Sequence, residues 1–325
     1  MTPTPPRIDV HLTPEHAGKA LREDALAGLT ADAKWLAPKW FYDARGSELF
    51  EQITRLPEYY PTRAEREILR AHATDIATHT EAQSLVELGS GSSEKTRLLL
   101  DALAGHGSLR EFVPLDVSES ALREAVDAIV ADYPDLRVHG IVGDFTDDLG
   151  GLPGTAPRLV AFLGGTIGNL LPEERAAFLG SVRDVLHEGD WLLLGTDLVK
   201  APGTLVRAYD DAAGVTAEFN RNVLHVLNRE LGSDFDVDAF EHVSLWDDER
   251  NWIEMRLRAT RAMEVTVPEL DLHVTFDEGE EIRTEISAKF RKTTIETELA
   301  AGSFDLVAWW TDAQDKFAVS LARAR

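Results

Sequence analysis

Between Glu81 and Leu198 short apolar runs alternate with segments whose apolar residues recur at helical spacing. "SLVELG" is followed by "EKTRLLLDAL", in which Leu98, Leu99, Leu100 and Leu103 make a stripe suited to burial. "REFVPLDV" leads into "ESALREAVDAIVADY", with Ser118 or Ser120 as its cap. "VHGIVGDF" and "RLVAFLGG" follow, then the helix "PEERAAFLGSVRDVL" with Pro172 in its first turn, and "DWLLLGTDL". Strand–helix alternation with short links predicts a parallel sheet covered on both faces.

Beyond Lys200 the pattern changes. Helical periodicity covers about 203–231, through "TLVRAYDDAAGVTAEFNRNVLHVLNREL". Two long alternating runs come next, "NWIEMRLRATRAMEVTV" and "LDLHVTFDEGEEIRTEISAKF", the latter broken by the turn-like "DEGEE". These predict antiparallel strands. "FDLVAWWTDAQDKFAVSLARAR" offers two more, separated by "TDAQD". The expectation is a parallel domain ended by an antiparallel pair, with a second domain inserted late in it and joined by the N-terminal segment. The proline-rich start, "MTPTPPRIDVHLTPEH", lacks the basic-then-apolar order of a signal peptide, and its first residues are expected to form a loose tail.

Composition narrows the partners. The 57 acidic and 33 basic residues give a net charge of −24, which repels a phosphate backbone and argues against nucleic acid. The same acidic surface favours a monomer. No apolar run approaches the roughly 18 residues that span a bilayer. Zero cysteines exclude disulfides and thiolate metal sites and fit a reducing cytoplasm. The ten histidines show no HxxxH spacing, so no metal centre is expected.

Candidate chemistry gathers at strand ends, where doubly wound sheets bind ligands. Gly89 and Gly91 follow the first strand and permit close backbone approach. Asp116 ends the second, 27 residues beyond Gly89, where a carboxylate can take both hydroxyls of a ribose. Asp144 and Phe145 end the third, an acceptor for an exocyclic amine beside a face for a purine. Gly164, Gly165 and Thr166 end the fourth. The dinucleotide fingerprint G-x-G-x-x-G wants a third glycine where this chain has Glu94, a poor neighbour for a pyrophosphate. S-adenosylmethionine carries adenine and ribose without phosphate, so the loop suits a methyl donor better. Glu87 or a glycine carbonyl would answer its ammonium and Lys95 its carboxylate. Each residue also has a plainer reading: a turn for the glycines, a helix cap for Asp116, core for Phe145, a solvated helix position for Lys95. The four features in this order favour the ligand.

A substrate site is less legible. Asn169 lies between the fourth strand and its helix, where a helix start favours an anion, but a turn asparagine is an equal reading. Tyr42, Tyr59 and Tyr60 sit in the aromatic stretch "WFYDARGSELFEQITRLPEYYPTRAE"; they read first as packing residues, though tyrosine faces also attract a cationic amine. Tyr209, with Leu205 and Val206 at i−4 and i−3, reads first as core. In "TEISAKF" the period of two puts Glu285, Ser287 and Lys289 on one face. From pattern alone that face is solvated; turned inward, it would hold two separated N–H groups, the geometry of an imidazole.

"PKWFYDARGSELFEQITRLPEYYPTRAE", "LVELGSGSSEKTRLLL", "FLGGTIGNL", "LLLGTDLVK", "RAYDDAAGVTAEFNRNVL" and "EISAKF" closely resemble the histidine Nα-methyltransferases of ergothioneine biosynthesis, from about residue 20 to the C-terminus. The resemblance implies an α/β fold: a Rossmann-like class I methyltransferase domain over 63–199 and 290–325, with an inserted α+β substrate-binding domain over 10–62 and 200–289. It implies three methyl transfers from S-adenosylmethionine, which leaves as S-adenosylhomocysteine, to the α-nitrogen of L-histidine and then of its mono- and dimethyl forms, giving hercynine. Carried over motif by motif, Gly89, Lys95, Asp116, Asp144 and Phe145 would hold the donor. Tyr59, Asn169, Tyr209, Met255, Glu285 and Ser287 would hold histidine, with Tyr42 close to its amine as a proton relay. The rivals are a methyltransferase for another small amino acid or amine, a catalytically silent protein that binds the donor as a regulatory ligand, and an NAD-linked oxidoreductase.

Overall fold

The computed structural model describes residues 6–91, 93–146 and 149–325. The chain divides into two compact units. One takes the residues up to Leu12, Pro61–Val199 and Lys289–Arg325; the other takes Thr13–Tyr60 and Lys200–Ala288.

Along the chain, β1 (Arg7–Val10) precedes α1 (Pro14–Leu29), α2 (Ala44–Arg55) and α3 (Pro61–Thr80). The alternating region follows as β2 (Ser84–Leu88), α4 (Thr96–His106), β3 (Glu111–Asp116), α5 (Glu119–Asp132), β4 (Arg137–Val142), β5 (Arg158–Phe162), α6 (Pro172–Val185) and β6 (Trp191–Asp197). Then come α7 (Pro202–Tyr209), α8 (Val215–Leu231), β7 (Phe240–Asp247), β8 (Trp252–Ala259), β9 (Met263–Val267), β10 (Leu272–Phe276) and β11 (Glu281–Ala288). The chain closes with α9 (Lys292–Ala301), β12 (Phe304–Thr311) and β13 (Phe317–Ala324).

The first unit is built on an eight-stranded sheet in the order β1-β4-β3-β2-β5-β6-β13-β12. From β1 to β6 neighbouring strands are parallel, and β13 and β12 close the sheet antiparallel. The run β4-β3-β2-β5-β6 reverses direction of growth at β2, which makes the ends of β2 and β5 the switch point where a Rossmann-like sheet takes its ligand. Both strands are buried along their whole length, as a two-sided sheet requires. Ser118 is the cap of α5, its hydroxyl accepting from the Ala121 amide. Of the start expected as a loose tail, residues 1–5 lie outside the described residues; Arg7–Val10 is instead an edge strand paired with β4, in register from Arg7 opposite His139.

The second unit has a three-stranded antiparallel sheet, β11-β8-β7, and a separate hairpin of β9 and β10. Phe41, Phe219, Phe240, Phe276 and Leu224 fill its core. Two expected elements are split. The helix over 203–231 breaks at Asp210–Gly214, because the Asp211 carboxylate accepts from the Val215 and Thr216 amides at 3.0 and 2.7 Å and starts α8 anew. The first long strand breaks after Ala259, so that β9 pairs with β10 instead of continuing β8. The strand β7 and the helix α9 were not foreseen from periodicity.

Candidate functional site

In the first unit the loop after β2 is fixed from beneath. Gly89 and Gly91 have φ of +70° and +49°, a region that disfavours any side chain. The Gly91 amide donates to Asp116 Oδ2 at 2.8 Å and the Ser118 amide to Oδ1 at 2.9 Å, so both carboxylate oxygens are aimed by backbone. Burial pushes the Asp116 carboxyl up, against the pull of these amide bonds. A methyl group placed on Gly89 would stand 3.9 Å from the Phe145 ring, which puts that ring at the glycine loop. Phe145 is held edge-on by Phe162 and Phe178, at 4.9 and 5.9 Å between ring centres. Asp144 accepts from the Thr146 amide and hydroxyl at 2.9 and 2.6 Å. Among the described residues, no atom beyond its chain neighbours stands within 4 Å of a Cβ built on Gly91. An open loop, an oriented carboxylate and a half-buried ring fit a nucleoside.

Lys95 is no solvated helix position. Its ammonium pairs with Glu65 of α3, a residue with 0% exposure that also accepts from the Gly164 amide at 2.8 Å. Glu65 therefore ties the start of α4 to the turn after β5. Beside it lies Glu87, a second buried carboxyl, which takes the Thr96 hydroxyl; burial pushes it up to about 8. Sequence reasoning missed Glu65. Its signal was a carboxylate at i−3 and i−4 to Ile68 and Leu69, on the apolar face of a helix. Glu94, expected near a ligand, is instead exposed and bonded to Arg66 at 2.8 Å, so it says nothing about a pyrophosphate.

Asn169 is half-buried at the end of a 3-10 turn, Thr166–Asn169, not at a helix start. The helix α6 begins at Pro172, and the Leu171 amide before it is taken by its own Glu174 at 2.7 Å. The expected helix-dipole contribution at Asn169 is withdrawn; its side-chain amide remains.

The second unit holds the other residues expected to bind substrate. Tyr42 follows a 3-10 turn, Pro38–Phe41, and precedes Asp43, the cap of α2. Asp43 also takes the Asn222 amide and Arg229 guanidinium, both at 2.8 Å. Gly46 is required here, since a Cβ would fall 1.6 Å from the Phe41 carbonyl oxygen. The Tyr42 ring stands edge-on to Phe50 and Phe219, and Tyr59 meets Phe50 and Tyr209, each at 6.2 Å between centres. Tyr60 differs: Lys200 donates to its hydroxyl at 2.7 Å and lies 4.6 Å from its ring centre. A cation already sits on that face.

Glu285, Ser287 and Met255 are 8%, 4% and 2% exposed, so the "TEISAKF" face is buried rather than solvated. Glu285 stands opposite Met255 in the β11–β8 register. The Tyr209 hydroxyl and Ser287 Oγ are 2.7 Å apart, and this bond can run either way. The inward direction has a local cause. Ile282 opposes Leu257 in the core, Arg283 opposes Arg256 and Glu285 opposes Met255, so Thr284 is one residue more than β8 provides. Plain alternation from Ile282 would send Glu285 and Ser287 outward with Arg283; the bulge reverses their face.

The family described as "Histidine-specific methyltransferase, SAM-dependent" matches residues 21–324. The chain is 56% identical to the histidine N-alpha-methyltransferase of Mycolicibacterium smegmatis, over 96% of this chain and 97% of that one. It is 55% identical to the protein of the same name from Mycobacterium tuberculosis, with the same coverage. Ergothioneine biosynthesis protein 1 of Neurospora crassa is 31% identical over 87% of this chain and 32% of its own length.

Proposed function

The chain belongs to the histidine-specific, S-adenosylmethionine-dependent methyltransferases, and we propose that it trimethylates the α-amine of L-histidine to the betaine hercynine. That product opens the route to ergothioneine. On this reading the first unit holds the donor. Asp116 takes the ribose hydroxyls, Phe145 and Asp144 the adenine, the Gly89 loop the sulfonium end, and Lys95 the donor's carboxylate. Bound S-adenosylmethionine supplies an electrophilic methyl group and leaves as S-adenosylhomocysteine.

The remaining work falls to positioning. Glu285 accepts the imidazole N–H. Ser287, bonded to Tyr209, presents a donor or an acceptor as the tautomer requires. Met255 lies along the ring from the neighbouring strand. Tyr59, Tyr209 and Asn169 hold the α-carboxylate and the backbone of the amino acid. The amine arrives protonated and must be neutral to attack, so one proton leaves before each of the three transfers; Tyr42 passes it towards solvent. The last transfer leaves a permanent cation, which tyrosine faces accommodate without a hydrogen bond. No step requires a metal, and the enzyme acts as a cytoplasmic monomer.

The observation that carries the substrate assignment is the buried carboxylate of Glu285 beside the Ser287–Tyr209 pair. A carboxylate in that position can accept the imidazole N–H, a contact that a substrate without a side-chain N–H would forgo. Glu285→Ala should weaken histidine binding by about 1.5–3 kcal/mol, roughly 10- to 150-fold, with donor affinity unchanged by calorimetry. Equal losses for both ligands would overturn the assignment.

A further inference from the structure

The bulge that turns Glu285 and Ser287 inward is held by a chain of polar groups outside the residues assigned to either ligand. Thr284, 1% exposed, directs its hydroxyl to Asn220 Oδ1 at 2.5 Å and to the Met255 carbonyl at 3.0 Å. Asn220, fully buried on α8, spends its two N–H groups on His242 Nδ1 at 2.8 Å and the Arg256 carbonyl at 3.0 Å. His242 on β7 closes the chain through Nε2, 2.8 Å from the Tyr209 carbonyl. A carbonyl can only accept, so Nε2 carries the proton and Nδ1 accepts from Asn220. Every donor then has an acceptor, and the single Thr284 hydroxyl proton is shared between Asn220 Oδ1 and the Met255 carbonyl, the first being closer. On its far side the bulge is gripped by backbone: the Arg283 amide donates to the Lys34 carbonyl and the Leu36 amide to the Arg283 carbonyl, each at 2.9 Å.

Three residues assigned to histidine hang from this network: Tyr209 by its carbonyl, Met255 by its carbonyl, and Glu285 as the residue after Thr284. We propose that Asn220, His242 and Thr284 are positioning residues for histidine recognition, pinning the bulge so that Glu285 and Ser287 face the imidazole while Tyr209 keeps its bond to Ser287. The inference rests on the histidine reading given above. It adds a source of specificity that touches no ligand: the strand's face is chosen by one hydroxyl and one buried amide. Burial holds His242 below its ordinary value, against the pull of the Tyr209 carbonyl and of Asp210 and Asp211 and with the help of Arg221, which keeps the ring in the neutral form the network needs.

The test is Thr284→Val, which keeps the shape and deletes the hydroxyl, beside Thr284→Ser, which restores it. In the holoenzyme assay the valine variant should raise KM for L-histidine at least about tenfold, with kcat at saturation within about twofold and donor affinity unchanged. Its preference for histidine over β-(2-thienyl)alanine, a flat five-membered ring without an N–H, should narrow by a similar factor. The serine variant should recover both. A valine variant with wild-type KM and preference would overturn the proposal, as would parallel losses for histidine and donor. Should that variant fail to fold, His242→Ala, half-buried and outside the bulge, carries the same expectation, and an unchanged histidine KM there contradicts it equally. Wild-type enzyme that methylates no histidine would bring down the parent reading instead, and this one with it.

Discussion

Glu87 shows what single residues do beneath the glycine loop after β2. It lies with Glu65 against one lysine, so two buried carboxyls share one positive charge. Burial moves Glu87 from its usual 4.5 to about 8. A raised folded-state value means that the folded chain holds the extra proton; the stability contributed by this group is complete below the unfolded value and is lost as pH rises through about 8. An arriving ammonium would favour the charged form. Binding of S-adenosylhomocysteine near pH 7 should therefore release protons, seen as a dependence of the binding heat on the ionisation enthalpy of the buffer. Glu87→Gln should abolish that dependence and flatten the fall in stability between the unfolded value of 4.5 and about 8. Wild-type heats that ignore the buffer would rule out Glu87, and leave a glycine carbonyl, as the group that answers the ammonium. At this scale the places of Gly89 and Asp116 in the fold were legible, since they stand at the ends of β2 and β3. Glu65 was not, because nothing local links a helix 30 residues before Lys95 to its ammonium.

Elements were legible where one period ran unbroken. The strands β2 to β6 and their helices stand where alternation placed them, and Pro172 opens α6 as expected. The failures lie where a local device interrupts a period. Asp211 divides one helical pattern into α7 and α8, although "DDAAGVT" carries both the capping carboxylate and Gly214 at φ +75°. Asp211→Ala should cost about 1–2 kcal/mol in urea unfolding, while Asp211→Asn keeps most of it. Burial raises the Asp211 carboxyl, but the amides of Thr216 and Val215 outweigh it and hold it below the ordinary range. Its contribution is thus present above the unfolded value near 3.8 and is lost as pH falls through the folded one. A loss in the alanine variant that is the same at low and neutral pH would contradict this. The bulge at Thr284 is the subtler case. Period two grouped Glu285 with Ser287 correctly, but which way that face points depends on the pairing with β8 and on Asn220, 64 residues earlier.

For the whole molecule, the motifs that carry the family resemblance fall in both units: "LVELGSGSSEKTRLLL" and "FLGGTIGNL" in the first, "RAYDDAAGVTAEFNRNVL" in the second. A net charge of −24 draws a cationic donor towards the surface, with a reach of about 8 Å at physiological salt. Among the described residues no helix is long and apolar enough to cross a membrane. Pairings such as β1 with β4 and β13 with β6 join segments over a hundred residues apart, which no local pattern announces. The most direct measurement is mass spectrometry of purified protein with S-adenosylmethionine and L-histidine. The account predicts products heavier by one, two and three methyl groups, ending at the trimethyl betaine. Folded, donor-binding protein that leaves histidine unmethylated would contradict it.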